Sequence, residues 1–132
     1  IDIKKTGLRR RYEVVTHNGN NRTGLDPVEF GIKLQNMGVG EILMNSVDFD
    51  GTMQGYDLDL ISKFQDHIRV PLTILGGAGS LNDISALWKS KGLIGAAAGS
   101  LFVFKGKYRA VLINYPNVPE KNAMMLDVRR KS

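Results

Sequence analysis

The segment Gly40–Asp57, with the sequence GEILMNSVDFDGTMQGYD, constrains the fold more than any other part of the chain. Its short apolar run, Ile42–Met44, is typical of a buried strand. Two aspartates one residue apart, Asp48 and Asp50, follow this run, and glycines lead from them to an apolar helical pattern near Leu58. A buried strand that delivers carboxylates to a glycine loop ahead of a helix is typical of a parallel α/β site.

Strand and helix patterns alternate along most of the remaining chain. Such alternation predicts right-handed β-α-β crossovers and a parallel sheet, so the fold class is α/β. The apolar strands predict burial on both faces of that sheet. We predict strands at Ile1–Lys4, Glu41–Met44, Val70–Leu75 and Ile94–Ala98, a further extended run at Arg11–Thr16, and helices capped by Asp26, by Asp57 and by Ser80 or Asn82.

The tail after Phe104 breaks this pattern. The run YRAVLINY, residues 108–115, is typical of extended structure. Residues 117–132 show little periodicity, so we expect an irregular end.

Composition excludes several classes of protein. The 132 residues fit one domain, and the absence of cysteine excludes disulfides and thiolate metal sites. No apolar run approaches the length of a membrane span, and no signal peptide is visible. The first residues, IDIKK, lack a methionine and read as a strand, so we expect a piece of a longer protein. His17 and His67 are interpreted as surface residues, and we expect no metal site.

The formal net charge is +5, and basic residues concentrate at both ends, at Arg9–Arg11 and again at residues 129–131. This pattern is compatible with a solubilising surface, or with attraction for phosphorylated small molecules or an acidic partner. No nucleic-acid-binding motif accompanies the charge, so we expect no nucleic-acid partner.

Asp2 is the first candidate for chemistry. A carboxylate at the end of a buried strand is suited to general acid/base catalysis, because partial burial raises its pKa toward working pH. The alternative is an aspartate paired with Lys4, two residues along on the same strand face, or with another neighbour.

Asp48 and Asp50 form the second candidate. In an extended stretch both carboxylates point the same way, so they could share a proton or hold the polar groups of a ligand. The alternatives are a metal pair, which lacks histidine support nearby, and aspartates that simply form the turn before Gly51.

Two glycine turns are candidates for phosphate binding. Gly76-Gly77-Ala78-Gly79 leads from a strand into a helix, and Gly99-Ser100 follows the next strand. Backbone N–H groups at helix starts attract phosphate, and (βα)8 barrels often bind phosphate with the last two loops. The alternative is tight packing at the junctions between strand and helix.

Taken together, these motifs resemble one family. The stretches IDIKK, THNGNNRTG, GEILMNSVDFDGTMQGYD, ILGGAGS and AAAGSLF resemble, in order and spacing, the cyclase subunit of imidazole glycerol phosphate synthase, the HisF family. The resemblance covers residues 1–104 and corresponds to the C-terminal half of that subunit. It implies half of a (βα)8 TIM barrel with four β/α units and an atypical tail at residues 105–132.

The resemblance also implies roles for individual residues. Asp2 matches a catalytic acid/base, and Asp50 a carboxylate that assists at the barrel mouth. Glu41 matches a charged ring at the bottom of the barrel, where ammonia enters. The remaining matches are phosphate-binding residues (Gly76, Gly77, Gly99 and Ser100) and substrate-binding residues (Asn45, Asp48 and Gly51).

The family is a lyase that takes ammonia from a glutaminase partner and cleaves and cyclises a bis-phosphorylated formimino ribulosyl nucleotide, without a cofactor. The resemblance therefore implies a cytoplasmic enzyme of histidine biosynthesis. The aspartate and phosphate loop of the first half are absent, so we expect this chain alone to be nearly inactive. A half-barrel exposes strand edges and an inner face, so we expect a homo-oligomer.

Two departures from the family keep other functions open. Asn45 stands where the family has threonine, and the tail resembles paralogues found with surface-polysaccharide genes. Those paralogues are thought to use ammonia in forming acetamidino sugars. A sugar-amidating enzyme and a non-catalytic phosphate-binding module therefore remain alternatives.

Overall fold

The computed structural model describes residues 1–106 and 108–129. Strands alternate with helices along most of the chain. In chain order the elements are β1 (Asp2–Thr6), β2 (Arg11–Thr16), β3 (Asn21–Arg22), α1 (Pro27–Asn36), β4 (Ile42–Ser46), α2 (Leu58–Gln65), β5 (Leu72–Leu75), α3 (Leu81–Lys91), β6 (Gly95–Ala96), α4 (Ser100–Val103), β7 (Phe104–Lys105), β8 (Ala110–Val111) and α5 (Val118–Arg129).

The main sheet has the strand order β3-β2-β1-β4-β5-β6. The neighbours β1, β4, β5 and β6 run parallel, as predicted, and their carboxyl ends meet at one edge. The hairpin of β1 and β2 and the short β3 are antiparallel, so the sheet is mixed rather than purely parallel. This hairpin extends the sheet on the side of β1 that faces away from β4.

One face of the parallel strands carries the core. Along β4, Ile42 and Met44 are buried against the helices, whereas Leu43 between them is 45% exposed. The same core includes Phe64 of α2 and Leu87 of α3, which are fully buried. The predicted burial of the strands on both faces is therefore wrong for the described residues, because helices cover only one face.

Local caps fix the helix starts where the sequence predicts them. The Asp26 carboxylate accepts hydrogen bonds from the N–H groups of Val28 and Glu29, and Pro27 occupies the first turn of α1. At α3, Ser80 and Asp83 form a reciprocal capping box. Each cap satisfies backbone donors that would otherwise lack a partner at the helix start.

The tail differs from the prediction. Residues 118–129 form α5 instead of an irregular end, and residues 130–132 lie outside the described residues. Asn117 and Glu120 exchange hydrogen bonds of 2.9 and 2.8 Å between side chain and backbone, which makes a capping box. An ion pair of 2.6 Å between Lys89 and Asp127 joins α5 to α3. Of the predicted extended run 108–115, only Ala110–Val111 forms a strand.

The side chain of Glu13 in β2 is the centre of a hydrogen-bond network with β1, β3 and the loop after β3. Glu13, 7% exposed, accepts hydrogen bonds from the Arg22 guanidinium at 2.9 and 3.0 Å and from the Gly24 N–H at 2.7 Å. The Thr6 hydroxyl also donates to this carboxylate. The Arg22 hydrogen bonds contribute most to lowering the pKa of Glu13 to about 2.

Replacing Glu13 should therefore destabilise the protein in a pH-dependent way. Because the folded pKa lies below the ordinary value of 4.5, the carboxylate contributes stability above that pH and loses it as the pH falls toward 2. We expect Glu13→Gln to lower Tm at pH 7, and the difference from the unmodified protein to shrink between pH 4.5 and pH 2. Thermal melts across this range check this, with Glu29→Gln on the surface of α1 as the control. A constant difference in Tm would contradict it.

Candidate functional site

Asp2 and Asn45 meet at the carboxyl ends of two parallel strands. The register of β1 and β4 places them opposite each other, and the Asn45 Nδ2 donates a hydrogen bond of 3.0 Å to the Asp2 Oδ1. No ion pair joins Asp2 to Lys4 among the residues that the structure describes. The predicted alternative of a pairing with Lys4 is thus not formed, and the neighbour that contacts the Asp2 carboxylate is the Asn45 amide.

The side-chain oxygen of Asn45 is a hydrogen-bond acceptor without a donor among the described residues. This oxygen, Oδ1, is buried. A Cβ added to Gly76 would lie 3.2 Å from this oxygen, so the first glycine turn lies directly beside it. A buried acceptor without a donor is costly, and a ligand that supplies an N–H or O–H group removes that cost.

Asp48 and Asp50 lie in a turn rather than in an extended stretch. Residues 47–50 form a turn, in which the N–H groups of Phe49 and Asp50 both donate to the Ser46 carbonyl at 3.0 Å. The extended arrangement predicted for the two carboxylates is therefore wrong, and the turn alternative describes them better. The Asp48 carboxylate accepts a hydrogen bond of 2.8 Å from the Lys5 N–H and holds this turn to β1, whereas Asp50 is exposed.

The two glycine turns and the Asp50 loop enclose one shallow recess. Six of the site residues predicted from the sequence line this recess, and they come from the two glycine turns and from the Asp50 loop. Its lining consists of Asp50, Gly51, Leu75, Gly76, Gly77, Ala78, Ala98, Gly99 and Ser100.

Backbone amides are the donors of this recess. The N–H groups of Gly77, Ala78, Gly99 and Ser100 form no hydrogen bond with other described residues. Farther along the first turn, Gly79 and Ser80 direct their N–H groups to the Asp83 carboxylate at 2.9 and 2.8 Å. The N–H groups just before α3 thus already donate to the Asp83 carboxylate. In the first turn, the N–H groups without a partner in the described chain are those of the two preceding residues, Gly77 and Ala78.

Two further hydrogen bonds hold the end of the loop that follows Asp50 against the segments that carry the glycine turns. The Gly55 N–H donates to the Gly77 carbonyl at 2.8 Å, and the Tyr56 hydroxyl donates to the Ala97 carbonyl at 2.9 Å. Burial, with a smaller effect of the Asp83 charge, raises the pKa of Tyr56 to about 12, so its hydroxyl stays protonated and donates at neutral pH. The sequence analysis missed the role of Tyr56, because nothing in the local sequence indicates a partner 41 residues away.

Glu41 lies at the opposite end of the strands. It precedes β4 and accepts a hydrogen bond from the Thr73 hydroxyl of β5. This position matches the bottom of a barrel, away from Asp2 and the recess.

Other features of the described chain do not add to this site. A groove of about 800 Å³ lies beside the Gly7–Arg10 turn, and none of the predicted site residues lines it. Among the described residues, no group of three histidine, cysteine or acidic side chains is placed to hold a metal ion. No described helix is long and apolar enough to cross a membrane.

The class of protein follows from this geometry. Parallel strands that carry helices on one face and polar residues at their carboxyl ends are typical of a (βα)8 barrel, and this chain forms half of one. The chain belongs to the family described as histidine biosynthesis protein, whose model matches residues 1–109.

Similar proteins narrow this further. A Leptospira interrogans protein provisionally named imidazole glycerol phosphate synthase subunit HisF is 53% identical over 124 residues, which are 94% of this chain and 49% of that protein. A Vibrio vulnificus protein provisionally named subunit hisF3 is 51% identical over 92% of this chain and 46% of its own length. A Pseudomonas aeruginosa protein provisionally named subunit hisF2 is 42% identical over 89% of this chain and 47% of its own length.

These matches confirm the HisF family and the half-barrel fold predicted from the sequence. The chain spans about half the length of the curated relatives it matches. The family match ends at residue 109, whereas the Leptospira match covers 124 of the 132 residues and therefore includes most of the tail. The similarity to the Leptospira protein therefore extends beyond the family match into the tail.

Proposed function

We propose that the full-length protein is an ammonia-dependent lyase/cyclase subunit of the imidazole glycerol phosphate synthase type, acting in the cytoplasm. The observation that carries the proposal is the Asp2–Asn45 pair at the carboxyl edge of the sheet. An oriented carboxylate at that edge is suited to proton transfer during ring closure. Asp50, exposed at the rim, assists at the mouth.

The glycine recess supports a phosphorylated substrate. Four backbone N–H groups without partners in the described chain surround it, and such groups bind phosphate oxygens well. We assign one phosphate of a bis-phosphorylated formimino ribulosyl nucleotide to this recess. The second phosphate and a second catalytic aspartate belong to the half of the barrel that this chain does not include.

The position of Glu41 supports a route for ammonia. It lies at the amino end of β4, on the side opposite the Asp2 site, so a glutaminase partner docked there would deliver ammonia along the strands. The test of the proposed function is ammonium-dependent formation of the cyclised product by the full-length protein. Complete absence of turnover with ammonium in excess would reject it.

A second candidate function is amidation of a sugar for surface polysaccharide. Two observations favour it: Asn45 replaces the threonine expected near the ligand, and the tail is shared with relatives that carry paralogue names. An ammonia-dependent amidation assay with an activated sugar distinguishes the two reactions.

The open face of the sheet also supports self-association of this chain. Leu43 is 45% exposed on that face, and Val111 and Ile113 of the tail are 75% and 82% exposed. Exposed apolar surface of this kind favours pairing with a second copy. We expect the isolated chain to elute as a dimer or larger species in gel filtration at micromolar concentration. A stable monomer would contradict this.

A further inference from the structure

The ribbon of β7 and β8 lies beside the mouth of the site. Phe104 pairs with Val111, and the hydrogen bonding continues from the Leu112 N–H to the Val103 carbonyl at 2.9 Å. The ribbon is thereby fastened to α4, whose first residue, Ser100, lines the recess.

Arg109 extends from this ribbon to the mouth loop. Its Nη2 donates a hydrogen bond of 2.6 Å to the carbonyl of Gly51, which itself lines the recess next to Asp50. The guanidinium carbon also lies 5.8 Å from the centre of the Phe104 ring. Two contacts therefore hold this cation at the rim of the recess.

The backbone of Arg109 adopts a conformation that is uncommon for a non-glycine residue. Its φ is 48°, in the left-handed region. Residues in such conformations are concentrated at functional sites. Here the conformation closes the turn, with the Arg109 N–H donating to the Gly106 carbonyl at 3.1 Å.

The charge of Arg109 is not neutralised within the described chain, where it forms no ion pair with any carboxylate. A guanidinium has five N–H donors, and the contact with Gly51 uses one of them. The donors that line the recess itself, backbone amides and the Ser100 hydroxyl, are neutral. A phosphoryl oxyanion bound beside Gly51 would therefore gain a charge-assisted hydrogen bond from Arg109.

We propose that Arg109 is an anion-recognition residue of this mouth and binds a phosphoryl oxygen of the substrate held by the glycine turns. The assignment rests on the proposed function only in placing a phosphate in the recess. It goes beyond that function because it adds a cation from the tail ribbon, at the last residue of the family match.

The test is calorimetric titration of the full-length protein with inorganic phosphate. We expect Arg109→Gln to weaken the affinity tenfold or more and Arg109→Lys to weaken it less, because charge-assisted hydrogen bonds are the strong ones. The matched control is Arg10→Gln, an exposed arginine with a φ of 46° in the other hairpin turn. We expect it to change the affinity less than about twofold, because its contribution is only nonspecific charge.

Equal affinities for Arg109→Gln and the unmodified protein would overturn the proposal, as would equal losses for Arg109→Gln and Arg10→Gln. In turnover, we expect Arg109→Gln to raise KM much more than it lowers kcat, and a loss confined to kcat would overturn the proposal. Phosphate titration needs no turnover. A full-length protein without cyclase activity that loses phosphate affinity through Arg109→Gln therefore rejects the proposed function and supports this inference.

Discussion

In the full-length protein, Asp2→Asn should reduce ammonium-dependent turnover by about 10²- to 10⁴-fold, the usual contribution of a general acid or base. The substituted amide has the same shape and keeps an oxygen that accepts the 3.0 Å hydrogen bond from Asn45. It cannot exchange a proton at working pH. Substrate affinity should therefore change little, and the loss should fall on kcat.

Steady-state kinetics with ammonium chloride as the nitrogen source measure this directly. Asp66→Asn is the matched control, since it makes the same chemical change at an exposed aspartate that ends α2, far from the carboxyl edge of the sheet. It should retain nearly full turnover. An Asp2→Asn variant within about threefold of the unmodified kcat would reject Asp2 as the acid/base.

Gly77→Ala should destabilise the protein strongly, whereas Gly99→Ala should not. An added Cβ at Gly77 would lie 2.0 Å from the Gly55 carbonyl oxygen, at a φ of 108° that L side chains rarely adopt. Strain and overpacking together cost about 3 kcal/mol or more. At Gly99, φ is −102° and no atom lies within 4 Å of the added carbon, so the cost should stay below about 1 kcal/mol.

Urea denaturation of the two variants in the full-length protein compares these costs. Both substitutions keep the backbone N–H of a residue that lines the recess, so the difference between them reports the close approach of the two loops. Similar midpoints for the two variants would show that the loops separate easily, and would contradict the tight contact between Gly55 and Gly77.

Features that depend on near neighbours could be predicted from the sequence. The strand at Ile42–Ser46, the Asp26 cap of α1 and the Ser80 cap of α3 all depend on residues within a few positions of each other. The last helix, α5, was missed although its capping pair, Asn117 and Glu120, has the expected spacing. The apolar residues of α5 do not gather on one face of the helix, so hydrophobic periodicity did not indicate a helix there.

Distances along the chain explain what could not be predicted at the site. Asn45 orients Asp2 across 43 residues, and Arg109 reaches Gly51 across 58. The sequence of each partner carries no signal of the other. The extended arrangement predicted for Asp48 and Asp50 was wrong for a local reason, since residues 47–50 form a turn and Asp48 accepts a hydrogen bond from Lys5.

Sequence patterns were enough to predict the class of fold, most strands and helices in their order, and the residue types at the carboxyl edge. Those features depend on alternation, helix caps and glycine turns, which involve residues close together in the chain. The folded structure was needed to find which carboxylate contacts an amide, which backbone donors stay free beside the Asp50 loop, and which cation reaches the mouth. These depend on strand register and loop packing, where contacts between distant residues set the geometry and no short stretch of sequence encodes them.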